Sequence, residues 1–422
     1  MSAVPHVVAQ MAAREVCSAA NALEAHQCFE RSIDELADWQ IIFADMSDVG
    51  SIKLLNLPLG ESGFIGSVFR GRSLWIMDAP FVAQGKSASV PIRSGSAVFI
   101  DSNAASYIRA IAYQANVSQR AREGADWINK LGERLGHLNF TLYLWESQRN
   151  WTEATIKSCT QTIAAVHALN ATGGPLTVEW GQRYRNRFRD QAEFMATAIL
   201  DDFQQDLDSG LAQGINQQVN MMEAMLVRTQ LLVLGSRKSP QHKLAELITF
   251  MHEALSTIAL RELIVCGDIL ARNTQARIVH KLNSLQNHPD PLALLRNCAW
   301  DLYIPRALDQ LCAVNPHKEP NFDFYLAELL TFDGDVVDML RTTQLRALAV
   351  HRPTMQSFPF FDHDIAEWLG NRVGGKRMDS LEDIFSPKAF ALRAQRRSVS
   401  TVEDVLNEDK NRLLHMLNRQ SR

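Results

Sequence analysis

Ser96-Ala-Val-Phe-Ile-Asp-Ser-Asn-Ala-Ala-Ser-Tyr-Ile108 is the stretch on which the reading of this chain turns. Ala97 to Ile100 is a short apolar run with β-forming residues, and it stops abruptly at Asp101. Behind it Ile108, Ile111, Ala112 and Ala115 recur at helical spacing, so a helix is expected to follow. Open α/β sheets place their sites where a buried strand delivers a polar side chain at its carboxyl end. Leu329-Leu-Thr-Phe-Asp-Gly-Asp335 repeats the pattern: an apolar run ends in Asp333, Gly334 allows a turn, and Val336, Val337 and Leu340 begin a helix. Two such strand ends lying side by side would put Asp101 and Asp333 in one crevice.

Two further acids lie in apolar company. A helix is expected from about His242 to Arg272, with Leu244, Leu247, Ile248, Met251, Leu255, Ile258, Val265 and Ile269 on one face. Glu262 falls in the middle of that face. Burying an unpaired carboxylate is strongly unfavourable, so Glu262 is either paired with an arginine, placed at a rim, or part of a site. Asp301 sits among Trp300, Leu302 and Ile304 on the next expected helix. Pro305 cannot donate to the Asp301 carbonyl, so that helix should bend or end there.

The 422-residue chain is long enough for two or three structural units. An apolar content of 46% with 21% charged residues is ordinary for a globular protein, and the net charge of −4 steers nothing toward nucleic acid as a whole. Six cysteines without a CxxC pair read as free thiols of a reducing compartment. No signal peptide and no apolar run of about 18 residues is present, so no membrane span is expected and cytoplasmic is the default. Residues 1 to about 45 show short helical patterns, 52–90 read as strands and turns, and 118–235 are almost wholly helical in pattern. Arg183, Arg185, Arg187 and Arg189 read first as a solvated face and second as a guide for a phosphate backbone. Several motifs fail on inspection. Gly85-Lys86-Ser87 has Pro80 where a phosphate loop needs glycine, and His252-Glu253 is followed by Ser256 instead of a second histidine. No Gly-x-Ser-x-Gly elbow occurs. Pro359-Phe-Phe-Asp-His-Asp364 fits an acidic helix start better than a cation loop.

Taken in order, Asp101, Glu262, Asp301 and Asp333 resemble the acidic constellation of the PIN-like nucleases. Phe99-Ile-Asp-Ser-Asn103 is similar to that family's first strand end, and Thr331-Phe-Asp333 to its Thr-x-Asp. Glu262 and Asp301 match its helical acids, with Asp309 or Asp323 as substitutes for the third. The resemblance covers about 97–117 and 243–348. It implies an α/β fold: a short parallel sheet with flanking helices, interrupted by a large helical insertion. The corresponding organisation is a mixed α/β region at 1–92, a nuclease core at 93–117 and 236–350, a helical insertion at 118–235 and a helical tail at 351–422. It further implies a metal-dependent endonuclease acting on RNA in preference to DNA. Asp101, Asp301, Asp333 and Asp335 would be metal ligands, Glu262 would share a metal or orient water, and Asn103 and Thr331 would support them or touch a substrate phosphate. Oxygen ligands without histidine or cysteine suit Mg2+ or Mn2+. The long insertion leaves room for a regulatory protein partner or for an effector of toxin or antiphage type, and a homo-oligomer stays open. The competing reading is a non-catalytic helical interaction module whose acids are capped or salt-bridged.

Overall fold

The computed structural model describes residues 7–60, 63–84, 94–273, 276–313, 324–362, 365–374, 377, 379, 381–396 and 399–420. Gly85, Lys86, Ser87, Asp323, His363 and Asp364 lie outside them. The chain divides into two units. The first comprises Met1–Gln213, Arg306–Val337 and Leu345–Phe360, and the second Gly214–Pro305, Asp338–Gln344 and Phe361–Arg422. The architecture is mixed α/β with helices predominating, as expected at that level.

Ten strands are described: β1 (Trp39–Asp45), β2 (Ile52–Lys53), β3 (Leu57–Leu59), β4 (Gly63–Gly66), β5 (Ser73–Asp78), β6 (Ser94–Ile100), β7 (Leu138–Asn139), β8 (Phe324–Thr331), β9 (Leu345–His351) and β10 (Gln356–Phe361). They form two five-stranded sheets, ordered β10-β9-β1-β5-β2 and β3-β4-β8-β6-β7. In the first sheet β1 runs antiparallel to both β5 and β9. Its Trp39, Ile41 and Phe43 alternate toward Val16 and Phe29 of the helices Val7–Cys17 and Ala22–Arg31. This strand corrects the helical expectation for the first 45 residues: Trp39-Gln-Ile-Ile-Phe has strand residues, but an interior strand carries no polar alternation to mark it.

The second sheet has β6 at its centre, parallel to β8 on one side and to β7 on the other. β4 and β3 extend it antiparallel beyond β8. The parallel sheet expected around Asp101 is therefore present as three strands within a mixed sheet. Val98 and Ile100 bury one face against Ile108 and Ile111 of the helix Ser102–Tyr113 and against Ile163 of the helix Glu153–Thr172. Gly181 lets the helix Val178–Arg183 approach closely, since a Cβ there would lie 2.1 Å from the carbonyl oxygen of Ile111. Helices through Asp206 thus belong to the core of this first unit, and the chain enters the second unit after Gln213. The unit boundaries cut the chain at other places than the four segments read from sequence.

Two helical expectations in the second unit change. The single helix over 242–272 is two, Pro240–Glu253 and Leu260–Ala271. The break falls at Ser256, whose φ of 49° is left-handed, and the Thr257 amide turns back to the Met251 carbonyl at 3.0 Å. An apolar stripe reads the same on either side of such a turn, so the periodicity concealed it. Of the bend or end expected at Pro305, the end does not occur: the helix Pro291–Ala313 runs through it.

One buried ion pair fastens the second sheet. Glu328 lies inside β8 with its side chain fully buried, and Arg134 donates to both its carboxylate oxygens. Burial pushes the Glu328 carboxyl above the usual range, while Arg134 pulls it down. Replacing Arg134 with Met should therefore destabilise the chain by about 3–5 kcal/mol in chemical denaturation, because a charge is left buried without its partner. Because the folded-state pKa is raised, the contribution of Glu328 itself to stability is fullest below the usual carboxylate range and is lost as pH rises. The deficit of the variant should accordingly shrink below the usual carboxylate range and grow as pH rises through and above it. The double variant Arg134→Met/Glu328→Leu should regain most of the loss at neutral pH.

Candidate acidic site

The parallel register sets the geometry. Ile100 of β6 pairs with Leu330 of β8, so the next residue of each, Asp101 and Thr331, leave the sheet at the same edge. Asp101 then starts the helix Ser102–Tyr113 as its N-cap, with Oδ1 accepting from the Ala104 amide at 2.7 Å. Its Oδ2 accepts from the Thr331 hydroxyl at 2.7 Å and from the Phe332 amide at 3.1 Å. Thr331 is itself fully buried, and its hydroxyl oxygen accepts from the Asp333 amide at 3.0 Å. Asp333 Oδ1 in turn accepts from the Asp335 amide at 2.8 Å at the start of the helix Gly334–Thr342. Asp101, Thr331 and Asp333 thus form one hydrogen-bonded chain across two strand ends, as expected from their sequence context.

A third carboxylate joins them from an unexpected place. Glu146 stands on the short helix Thr141–Ser147, immediately after β7 on the other side of β6. The Ser102 hydroxyl donates to it, and Arg149 lies 4.0 Å away. Burial raises the Glu146 carboxyl above the usual range, Arg149 opposes this, and the negative charges of Asp101 and Asp333 add to the rise. Asp101 is also raised, chiefly by burial; its three donors work the other way, and Asp333 contributes repulsion. The Glu146 side chain keeps 27% of its surface exposed, so the corner opens to solvent on this side.

The remaining expected residues are placed as follows. Asn103 is half-buried on the second residue of the capped helix, and Asp335 is buried beside Asp333. Asp309 is buried in the first unit. Glu262, fully buried on the helix Leu260–Ala271, and Asp301, half-buried on the helix Pro291–Ala313, belong to the second unit. Within the first unit the structure brings together Asp101 and Asp333, with Glu146 as the helical acid beside them. Glu146 escaped the sequence reading because residues 118–235 looked uniformly helical, and a two-residue parallel strand leaves almost no period. The signal available was Leu138-Asn-Phe-Thr-Leu-Tyr-Leu144, a β-forming run in which Asn139 Oδ1 accepts from the Thr141 amide at 2.8 Å and turns the chain into the helix.

Among the described residues no three acidic, histidine or cysteine side chains converge closely enough to hold a metal ion directly. A carboxylate offers about four acceptor positions, and three of those on Asp101 are taken by Ala104, Thr331 and Phe332. The donor set is of the hard-oxygen kind that suits Mg2+, an ion that keeps several waters and takes one or two carboxylates. It fits such a water-mediated site and does not fit a closed cage of side chains. No family model, no curated protein and no solved structure matches the chain.

Thr331→Val keeps the side-chain shape and removes the hydroxyl shared by Asp101 and the Asp333 amide. It should cost about 1–3 kcal/mol, read by urea denaturation, because two buried polar groups each lose a partner. A change below 0.5 kcal/mol would show that the two strand ends are not coupled through this hydroxyl.

Proposed function

We propose that the chain is a divalent-metal-dependent endonuclease hydrolysing phosphodiester bonds, and that its site is the corner of Asp101, Glu146 and Asp333. The observation that supports it is the convergence of three carboxylates, two of them with raised pKa, at the carboxyl edge of adjacent parallel strands. Of the four acids in the PIN-like resemblance, Asp101 and Asp333 keep the strand-end places and Glu146 takes the place given to Glu262, while the place given to Asp301 has no counterpart in this reading. The preference for RNA over DNA rests on that resemblance alone.

Each side chain has a distinct part. Asp101 is immobilised by its three donors and fixes the helix start and the β8 end relative to each other. Asp333, with Oδ1 engaged by the Asp335 amide, and Glu146 are the oxygens with capacity left for an ion or its water shell. A bound Mg2+ or Mn2+ would supply an acidified water and a positive charge against the phosphate oxygens. Glu146 is partly exposed and more basic than an ordinary glutamate, which suits it to accept a proton from a water at the mouth of the corner. Arg149, with 39% of its side chain exposed and adjacent to Glu146, is placed to meet a phosphate oxygen.

Purified chain incubated with labelled RNA and DNA oligonucleotides should cleave in millimolar Mg2+ or Mn2+ and stop in EDTA. Glu146→Gln and Asp333→Asn should each lower the rate on the order of a hundredfold or more, with circular dichroism unchanged. Cleavage that survives both substitutions would refute the assignment. The full hydrogen-bond load on Asp101 favours one second reading, in which the acids are helix caps of a non-catalytic interaction module. The two readings separate by thermal unfolding. A metal site should give a saturable rise in melting temperature with Mg2+ that is lost in Asp333→Asn, and caps alone should give none.

A further inference from the structure

We infer that the second unit carries a binding pocket for a small zwitterion such as a free α-amino acid, independently of the acidic corner. A cavity of about 320 Å3 lies among the helices Ala212–Gly235, Pro291–Ala313 and Val399–Gln420, lined by Asn220, Glu223, Arg296, Glu403, Asn407 and Lys410. Leu406 is its one apolar lining residue. At roughly 30 Å3 per water the space holds about ten waters.

The polar groups around it are arranged as opposed poles. Arg296 donates through Nη1 to Glu223 Oε2 at 2.9 Å and to Asn220 Oδ1 at 2.7 Å, and through Nη2 to Asn216 at 3.4 Å. Lys410 Nζ stands 2.6 Å from Glu223 Oε1. The Glu223 side chain is only 1% exposed, so both its oxygens are committed to these cations, and Glu403 on the exposed side is the carboxylate left to a ligand. Asn220 donates to Glu403 at 3.4 Å on the exposed side. A bridge needed only to join helices gains most by closing on itself, and replacing such buried charges with apolar side chains is often neutral or stabilising. Here charged groups surround an open space instead. Two cations and two carboxylates facing one concave space give a ligand the placed polar groups that fix its orientation.

The charges fix the ligand class. Arg296 and Lys410 balance Glu223 and Glu403, so a ligand with net charge would leave the pocket unbalanced. A zwitterion does not: its carboxylate meets the remaining N–H groups of Lys410 and Arg296, and its ammonium meets the exposed Glu403 carboxylate. Both contacts are charge-assisted and hence stronger than those a neutral polyol could make. Asn407 and Asn220 are left for a polar ligand side chain.

The test is thermal unfolding and titration calorimetry on the full chain with each common amino acid. Controls are the matching amines and carboxylic acids, inorganic phosphate and glycerol. At least one amino acid should bind saturably and raise the melting temperature by roughly 5 °C near a hundred times its Kd, and the controls should not. Glu403→Gln, at an exposed position, should weaken that affinity at least tenfold, as should Lys410→Met. If Lys410→Met does not fold, Glu403→Gln decides alone. The inference is overturned if no amino acid binds saturably, if an amine, acid, phosphate or polyol matches it, or if the folded variants bind like the parent. Nuclease assays play no part in the outcome.

Discussion

The Asp101 carboxylate is the constraint on which the first unit's edge depends. Three donors from two chain segments meet on its two oxygens: the first turn of the helix Ser102–Tyr113, the Thr331 hydroxyl and the Phe332 amide. Parallel strands have no hairpin to fix where each one stops, so their ends must be tied by something other than a turn. Asp101 does this by capping one strand's exit while holding the other's. The coupling runs on through Thr331 to Asp333, which caps the start of its own helix. A carboxylate suits this place because helix N-termini present unpaired amides and partial positive charge, and its second oxygen is left to hold the other strand's end. The same demand brings the acids together, and their mutual repulsion adds a smaller upward push on Asp101 and Glu146 to the larger one from burial, against the donors and the Arg149 charge that pull the other way.

How much of this was legible depends on how far apart the residues that make each element lie. Asp101 and Asp333 were readable because each sits at the junction of a strand period and a helix period, a local signal that needs no knowledge of the rest of the chain. Their side-by-side placement followed from the sheet rule for parallel strands. Glu146 was not readable, since its position is set by β7, whose two residues pair with β6 and do nothing that a helical period would contradict. β1 was missed for a related reason: buried on both faces, it lacks alternation. Ser256 shows the opposite failure. A left-handed residue interrupts a helix without interrupting its apolar stripe, so periodicity joined two helices into one.

The two units handle buried charge differently. In the first, Glu328 is sealed within β8, and Arg134 takes both its oxygens. In the second, Glu223 and Asp409 are each nearly fully buried and each is shared by two cations: Arg296 and Lys410 for the one, Arg228 and Arg412 for the other. A carboxylate between two cations is held from two sides without closing every lone pair.

That distinction also separates a structural acid from a working one. Four acceptor positions per carboxylate is a fixed number, and the fraction already engaged by backbone and hydroxyl donors decides what remains for a ligand. Asp101 has nearly all of its positions filled and is mostly buried, so it can position but hardly bind. Glu146 lies at the other extreme, held by one hydroxyl, approached by Arg149 and open to solvent. Asp333 stands between them, with one oxygen on the Asp335 amide. An acidic corner graded in this way has its most anchored member at the strand end and its most available one at the rim. Under the proposed function, hydrolysis at this corner would therefore depend more steeply on Glu146 and Asp333 than on Asp101.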